Sequence, residues 1–158
     1  MRNGYVLTGT TNIAHQAQRV QINYLIQTAA DWRTTNARIR IPQVDVHLDV
    51  TASPNGAWRV NGRMHRDLSG CVDLDLGWTP ATNTLPIRRS GVEEGDTITT
   101  RAAWLQWPQL AFRAADQAYT KSDDMTWTYQ HGHFKADLEV DEYGVVVTYG
   151  DPPIWYAI

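Results

Sequence analysis

Apolar and polar residues alternate with a period of two along most of this chain, and that leaves it few ways to fold. "RVQINYLIQT" puts Val20, Ile22, Tyr24 and Ile26 on one face, and "NARIRIPQVDVHLDV" alternates twice, first at Ile39 and Ile41, then at Val44, Val46, Leu48 and Val50. "ADLEVD" and "GVVVTYG" continue the pattern. Period-two runs of β-branched and aromatic residues are half-buried strands. Turn formers separate them: Ser53-Pro54-Asn55-Gly56, Asn61-Gly62, Glu94-Gly95-Asp96, Tyr143-Gly144 and Gly150-Asp151-Pro152-Pro153. The Ala-rich stretch from Arg101 to Tyr119 could be helical, but Pro108 interrupts it and favours two strands. The expected fold class is all-β: one domain over residues 1–158, a pseudo-two-fold β-barrel or curved open-barrel sheet with little helix.

Composition narrows the function classes. At 158 residues the chain can bury a sizeable core. Seven Trp and seven Tyr stand against two Phe, a bias that suits cores, interfaces and ligand cavities. The net charge is −3, which argues against non-specific nucleic-acid binding. No apolar run approaches the roughly 18–20 residues of a spanning helix, so stable membrane insertion is not expected. "MRNGYVLTGTTNIAH" has no apolar signal core, and one cysteine cannot form an internal disulfide, so the expected location is cytoplasmic. No phosphate-binding or dinucleotide-binding glycine motif is present, and no cofactor is expected.

A faint repeat runs through the chain. Tyr24 and Trp32 are spaced as Tyr119 and Trp127 are, and Leu48-Asp49-Val50 resembles Leu138-Glu139-Val140. Gly56 and Gly62 bracket a β-rich run, as Gly144 and Gly150 do. Two strand units of similar plan are expected, about 5–69 and 92–158, joined by 70–91.

The joining segment, "GCVDLDLGWTPATNTLPIRRSG", does not read as strand. In an extended chain Asp73 and Asp75 share a face, with Leu74 and Leu76 turned the other way into the core. Two carboxylates on one face need a cation, and Arg88-Arg89 is the nearest. They form either a buried network that fastens the connection, with Thr82, Asn83 and Thr84 satisfying turn amides, or a polar surface toward a cavity.

"GCVDLDLGWTPATNTLPIRR" resembles the signature of the bacterial proteins grouped as putative glycolipid-binding. The likeness extends through "LDVTASPNGAWRVNG", "DQAYT" and "FKADLEVDEYGVVVTYG", and covers about Tyr5 to Tyr149. It implies a β-rich, internally two-fold fold, loosely similar to carriers that hold lipid in an open barrel. The chain departs from the family in three places. It begins too late to hold the family's leading strand with Trp, Arg and Glu, so either that strand is absent or the barrel wall is more open. It has Gln117-Ala118-Tyr119-Thr120 where the family has Gln-Arg-Tyr-Thr, and it ends in "GDPPIWYAI" instead of a short basic tail.

The expected function is binding of a small amphiphilic or apolar ligand, lipid-like or glycolipid-like, in a β-barrel cavity. Asp73, Asp75, Asn83, Arg88 and Arg89 are the candidates for a polar lip, and Trp78 and Tyr119 for the wall. Trp32, Trp104, Trp107, Trp127 and Trp155 are further candidates to stack on a ligand or fill the core. The alternative is a cofactor-independent cyclase or isomerase in small-molecule biosynthesis, with Asp73 or Asp75 as acid–base group and Arg or Tyr stabilising charge. A third reading is a partner-binding domain, a homodimer through an open sheet edge. His131, His133, Lys135 and Asp137 fall on one face of a continuous strand and imitate a cupin metal motif. Lys135 among them opposes a cation and no later His follows, so no metal is expected. Cys71 lies between apolar neighbours and reads as a small buried residue.

Overall fold

The computed structural model describes residues 4–151 and the backbone of 155–156. The Pro152-Pro153 part of the last expected turn and the side chain of Trp155 lie outside the described residues. The chain is all-β, and its contacts divide it into two compact units, Met1–Gly70 and Cys71–Ile158.

The first unit is an antiparallel meander: β1 (Val6–His15), β2 (Gln18–Thr28), β3 (Thr34–Ile41), β4 (Val46–Ala52), β5 (Trp58–Val60) and β6 (Arg63–His65) lie side by side in chain order. The alternation holds in β2, where Val20, Ile22, Tyr24, Ile26 and Thr28 are all buried. Ile39, Ile41 and Val50 join them. Val44 departs from the pattern: Pro42 starts a one-turn 3-10 helix there, which ends at Asp45 in the left-handed region and leaves Val44 57% exposed.

In the second unit β7 (Asp73–Leu76), β8 (Thr97–Leu105), β9 (Phe112–Lys121), β10 (Thr126–His131), β11 (Phe134–Val140), β12 (Val146–Tyr149) and β13 (Trp155–Tyr156) form one sheet in sequential order. The Ala-rich stretch is two strands, β8 and β9, as Pro108 suggested. Neither sheet closes on itself among the described residues. The core of this sheet is Tyr119, Trp127, Tyr129, Leu138, Val140 and Val146, capped by Ile87 of the helix α1 (Thr84–Ser90).

The two meanders share a turn. Ser53 N–H donates to Ala57 O and Gly56 N–H to Ser53 O, each at 2.9 Å. Asp141 N–H to Val145 O and Gly144 N–H to Asp141 O repeat both bonds at 2.9 Å. Gly56 and Gly144 have φ of 81° and 74°. The Leu48 and Leu138 segments precede these turns on β4 and β11.

Gly144 tests the turn directly. A Cβ there would sit 2.8 Å from Arg88 Cδ, on a backbone that side chains avoid. Gly144→Ala is expected to destabilise the protein by more than the roughly 1–2 kcal/mol of a left-handed residue alone. Gly62→Ala has a similar φ of 78° and open space around it, and should cost only the backbone part. Urea unfolding of both variants reads the difference, and equal losses would show that Arg88 yields freely.

Candidate functional site

β7 pairs in parallel with β8, Asp73 opposite Ala102 and Asp75 opposite Trp104. Parallel neighbours cannot be joined by a hairpin and need a crossover of a dozen or more residues. The segment from Gly77 to Asp96 is that crossover, so the stretch expected to join two units is built into the second one. Thr79 starts it, its Oγ1 accepting the Ala81 N–H, and Pro80 opens a 3-10 turn over Pro80–Asn83. The chain runs on into α1, where Pro86 falls in the first turn and loses no hydrogen bond by lacking an N–H. Gly91, at φ 58°, ends the helix. Helix was not expected here. Prolines in front and glycine behind were the available signal, but seven residues are too few to show a helical period.

The two aspartates share a face and do different things. Asp73 is 2% exposed. Arg89 clasps it with both Nη atoms, at 2.5 and 2.6 Å, and the Thr100 hydroxyl donates to Oδ2 at 2.7 Å. This fork-to-fork pair ties α1 to β7 and β8. Asp75 receives Thr82 Oγ1–H at 3.2 Å and Gln117 Nε2–H at 2.7 Å. Thr82 Oγ1 in turn accepts the Leu76 N–H at 3.1 Å. Behind Gln117 the chain of bonds continues: Tyr119 O–H donates to Gln117 Oε1 at 3.2 Å, and Asn83 Nδ2–H donates to the Tyr119 oxygen at 2.9 Å. Each donor in this relay is directed toward the Asp75 carboxylate.

An open cleft of about 530 Å³ adjoins Asp75. Trp78, Thr79, Pro80 and Asn83 of the crossover line one side, and Trp104, Tyr129, His131, Phe134 and Tyr149 of the strands line the rest. A flat sheet would hold β7 and β12 about 24 Å apart at ordinary strand spacing, yet Asp75 and Tyr149 line the same cleft, so the sheet curls. Tyr129, Phe134 and Tyr149 cluster with ring centroids 6.1–6.4 Å apart. Trp104 meets His131 edge-on at 5.5 Å, and Trp78 meets Trp107 edge-on at 6.5 Å. Gly77 gives Trp104 its place, since a Cβ there would fall 2.7 Å from Trp104 Nε1.

Burial sets the electrostatics. Asp75 keeps some surface toward the cleft but is enclosed by protein elsewhere, and desolvation raises its proton affinity above the usual carboxylate range. The Gln117 and Thr82 donors and the field of His131 oppose that rise without cancelling it. Tyr119, Tyr129 and Tyr149 are pushed above the ordinary phenol range, first by burial and then by the negative charge of Asp75. All three remain neutral hydroxyls near pH 7.

Of the residues singled out from the sequence, Asp75, Trp78, Asn83, Trp104 and His131 lie on the cleft, and Tyr119 stands one hydrogen bond behind it. Asp73 and Arg89 are bound to each other, and Arg88 lies along Gly144 beside a second depression. The cleft aromatics Tyr129, Phe134 and Tyr149, and Gln117 beneath them, were not foreseen, because strand alternation marks a face without saying what that face encloses. The His131–Asp137 grouping breaks up: Gly132 and His133 form a hairpin turn, and His131 pairs with Phe134. Lys135 and Asp137 therefore point to the other face, where Thr128 donates to Asp137 at 3.0 Å. Cys71 is buried. Trp127 belongs to the core, and Trp32 stacks on Tyr5 in the first unit.

Two measurements follow from these environments. Arg89→Met leaves the Asp73 carboxylate buried and unpaired, and is expected to cost about 3 kcal/mol or more in urea unfolding. Adding Asp73→Leu should recover most of that loss, whereas additive losses would mean the pair is not the fastening. Asp75 is raised in the folded chain, so its contribution to stability is fullest below the ordinary carboxylate range and is lost as pH rises through the raised value. The stability of the native protein minus that of Asp75→Asn should therefore fall as pH rises above the ordinary aspartate value of about 4. A constant difference would contradict the burial argument.

The chain matches, over residues 1–152, the family described as "Putative glycolipid-binding". Its structure is similar to the crystal structure of a DUF1089 family protein from Pseudomonas aeruginosa, with a TM-score of 0.83 and 27% sequence identity, over 98% of this chain and 92% of that one. No curated protein matches the chain. No helix among the described residues is long and apolar enough to cross a membrane. With the family's span running from the first residue through the last strand of the cleft, the chain belongs to the "Putative glycolipid-binding" family.

Proposed function

We propose that the second unit binds a small amphiphilic or apolar molecule, lipid-like or glycolipid-like, in the cleft between the crossover and the curled sheet. One observation carries this most directly: Phe134 is 49% exposed although it stands against Tyr129 and Tyr149. A half-exposed phenyl ring on a cleft wall has no core role that would justify it, and it offers apolar area to a ligand. Trp78, Trp104 and Tyr149 are likewise only partly covered. Apolar walls supply affinity, while Asp75 and Asn83 fix orientation. Asp73 and Arg89 contribute by holding the crossover in place, and Tyr119 by positioning Asn83. Arg88 stands apart from this cleft.

The position of Asp75 supports a second reading, that of a cofactor-independent enzyme. A carboxyl of raised proton affinity beside an apolar cleft is suited to moving a proton on a bound substrate. In that case Asp75, and not Asp73, is the group that reaches the substrate.

Mass spectrometry of an organic extract of the purified protein tests binding. The native protein should release a bound amphiphile, and Phe134→Ser should release several-fold less while its unfolding free energy changes by no more than about 0.5 kcal/mol. Empty extracts from repeated preparations would refute the binding proposal. A recovered ligand that converts to an isomer of equal mass on incubation with native protein, but not with Asp75→Asn, would favour the enzyme.

A further inference from the structure

The charges around the cleft restrict what its polar groups can accept. Asp75 is the one carboxylate among the described lining residues, His131 is the one basic side chain, and no Arg or Lys stands there. Arg89 is committed to Asp73, and Arg88 borders a different depression. Asn83 adds a second acceptor. Its Nδ2–H is engaged by Tyr119, and its Oδ1 makes no hydrogen bond among the described residues, yet it is not among the fully enclosed unpaired atoms. Asp75 has inner donors on both oxygens, Thr82 on one and Gln117 on the other. Each oxygen keeps further acceptor capacity toward the cleft. The wall also presents donors, the hydroxyls of Tyr129 and Tyr149.

We infer that the cleft receives the polar end of its ligand, that this end is an uncharged hydroxyl-bearing group read by Asp75 and Asn83 Oδ1, and that Asp75 makes the site reject anionic head groups. This rests on the cleft being a binding site, as proposed above. A hydroxyl both donates and accepts, so it can bond to Asp75 and Asn83 while taking a proton donor from a tyrosine. An ammonium can only donate, and leaves the wall's donors unmet. A sulfate or phosphate would bring negative charge beside a carboxylate with no Arg or Lys on the wall to offset it, in a partly desolvated site where charges are poorly screened. Aromatic rings flanking the acceptors suit the apolar faces of a ring-shaped head group or the start of an alkyl chain.

Isothermal titration with three amphiphiles of equal chain length, below their micelle concentrations, separates the outcomes: octyl glucoside, octylamine and octyl sulfate at neutral pH. The glucoside should bind the native protein at least about tenfold more tightly than the sulfate, and more tightly than the amine. Asp75→Asn should narrow the glucoside-to-sulfate ratio by relieving the repulsion. Asn83→Ala should weaken the glucoside several-fold and leave the sulfate unchanged, which keeps the test decisive if Asp75→Asn unfolds. Sulfate binding as tight as glucoside, or amine binding tighter than either, overturns the inference while leaving the binding proposal in place. A ratio unmoved by Asp75→Asn removes Asp75 as the discriminating group. No heat from any of the three, with native protein, refutes the binding proposal and the inference together.

Discussion

A parallel strand pair cannot be closed by a tight turn, and the second unit is arranged around that constraint. β7 enters beside β8 in the same direction, so the chain must leave the sheet, travel back along it and re-enter. The return path is the 3-10 turn and α1. It brings Ile87 onto the aromatic core, Asn83 onto Tyr119, and Arg89 onto Asp73. Without the crossover the core would lose Ile87, and the cleft would lose one wall.

The aspartates on β7 illustrate how one strand face can divide labour. They are two residues apart, on the same side, in the same sheet. Asp73 meets a guanidinium and a hydroxyl, and its charge is matched inside the protein. Asp75 meets only neutral donors, Thr82 and Gln117, and burial raises its proton affinity. The difference comes from what the crossover delivers opposite each one: a cation at the end of α1, and a threonine in the 3-10 turn. A buried matched pair holds structure, whereas a carboxylate with neutral partners and an open side is available for a ligand.

The polar relay from Asn83 through Tyr119 and Gln117 to Asp75 crosses from the crossover to β9 and back to β7. Its members are buried or half-buried, and each hydrogen bond in it leaves the next group's orientation determined. The cleft's acceptors are therefore fixed by groups behind them instead of by solvent. That rigidity suits recognition of a small polar group beside apolar walls.

Period-two alternation was enough to establish an all-β chain, the faces of β2, β3 and β11, and the division of the Ala-rich stretch at Pro108, because side-chain alternation and proline geometry are local properties of the backbone. The same local reasoning put Asp73 and Asp75 on one face and chose an arginine from the Arg88-Arg89 pair as partner. It failed at Val44, where a proline-led turn broke the strand, and at His131 to Asp137, where a hairpin put apparent neighbours on opposite faces. It also missed α1, which is too short to display a helical period. Which arginine meets which aspartate, and which aromatics surround Asp75, depend on how the crossover lies over a curled sheet. Arg89 lies 16 positions from Asp73, and Tyr149 lies 74 from Asp75, and only packing of the whole unit brings such distant groups together.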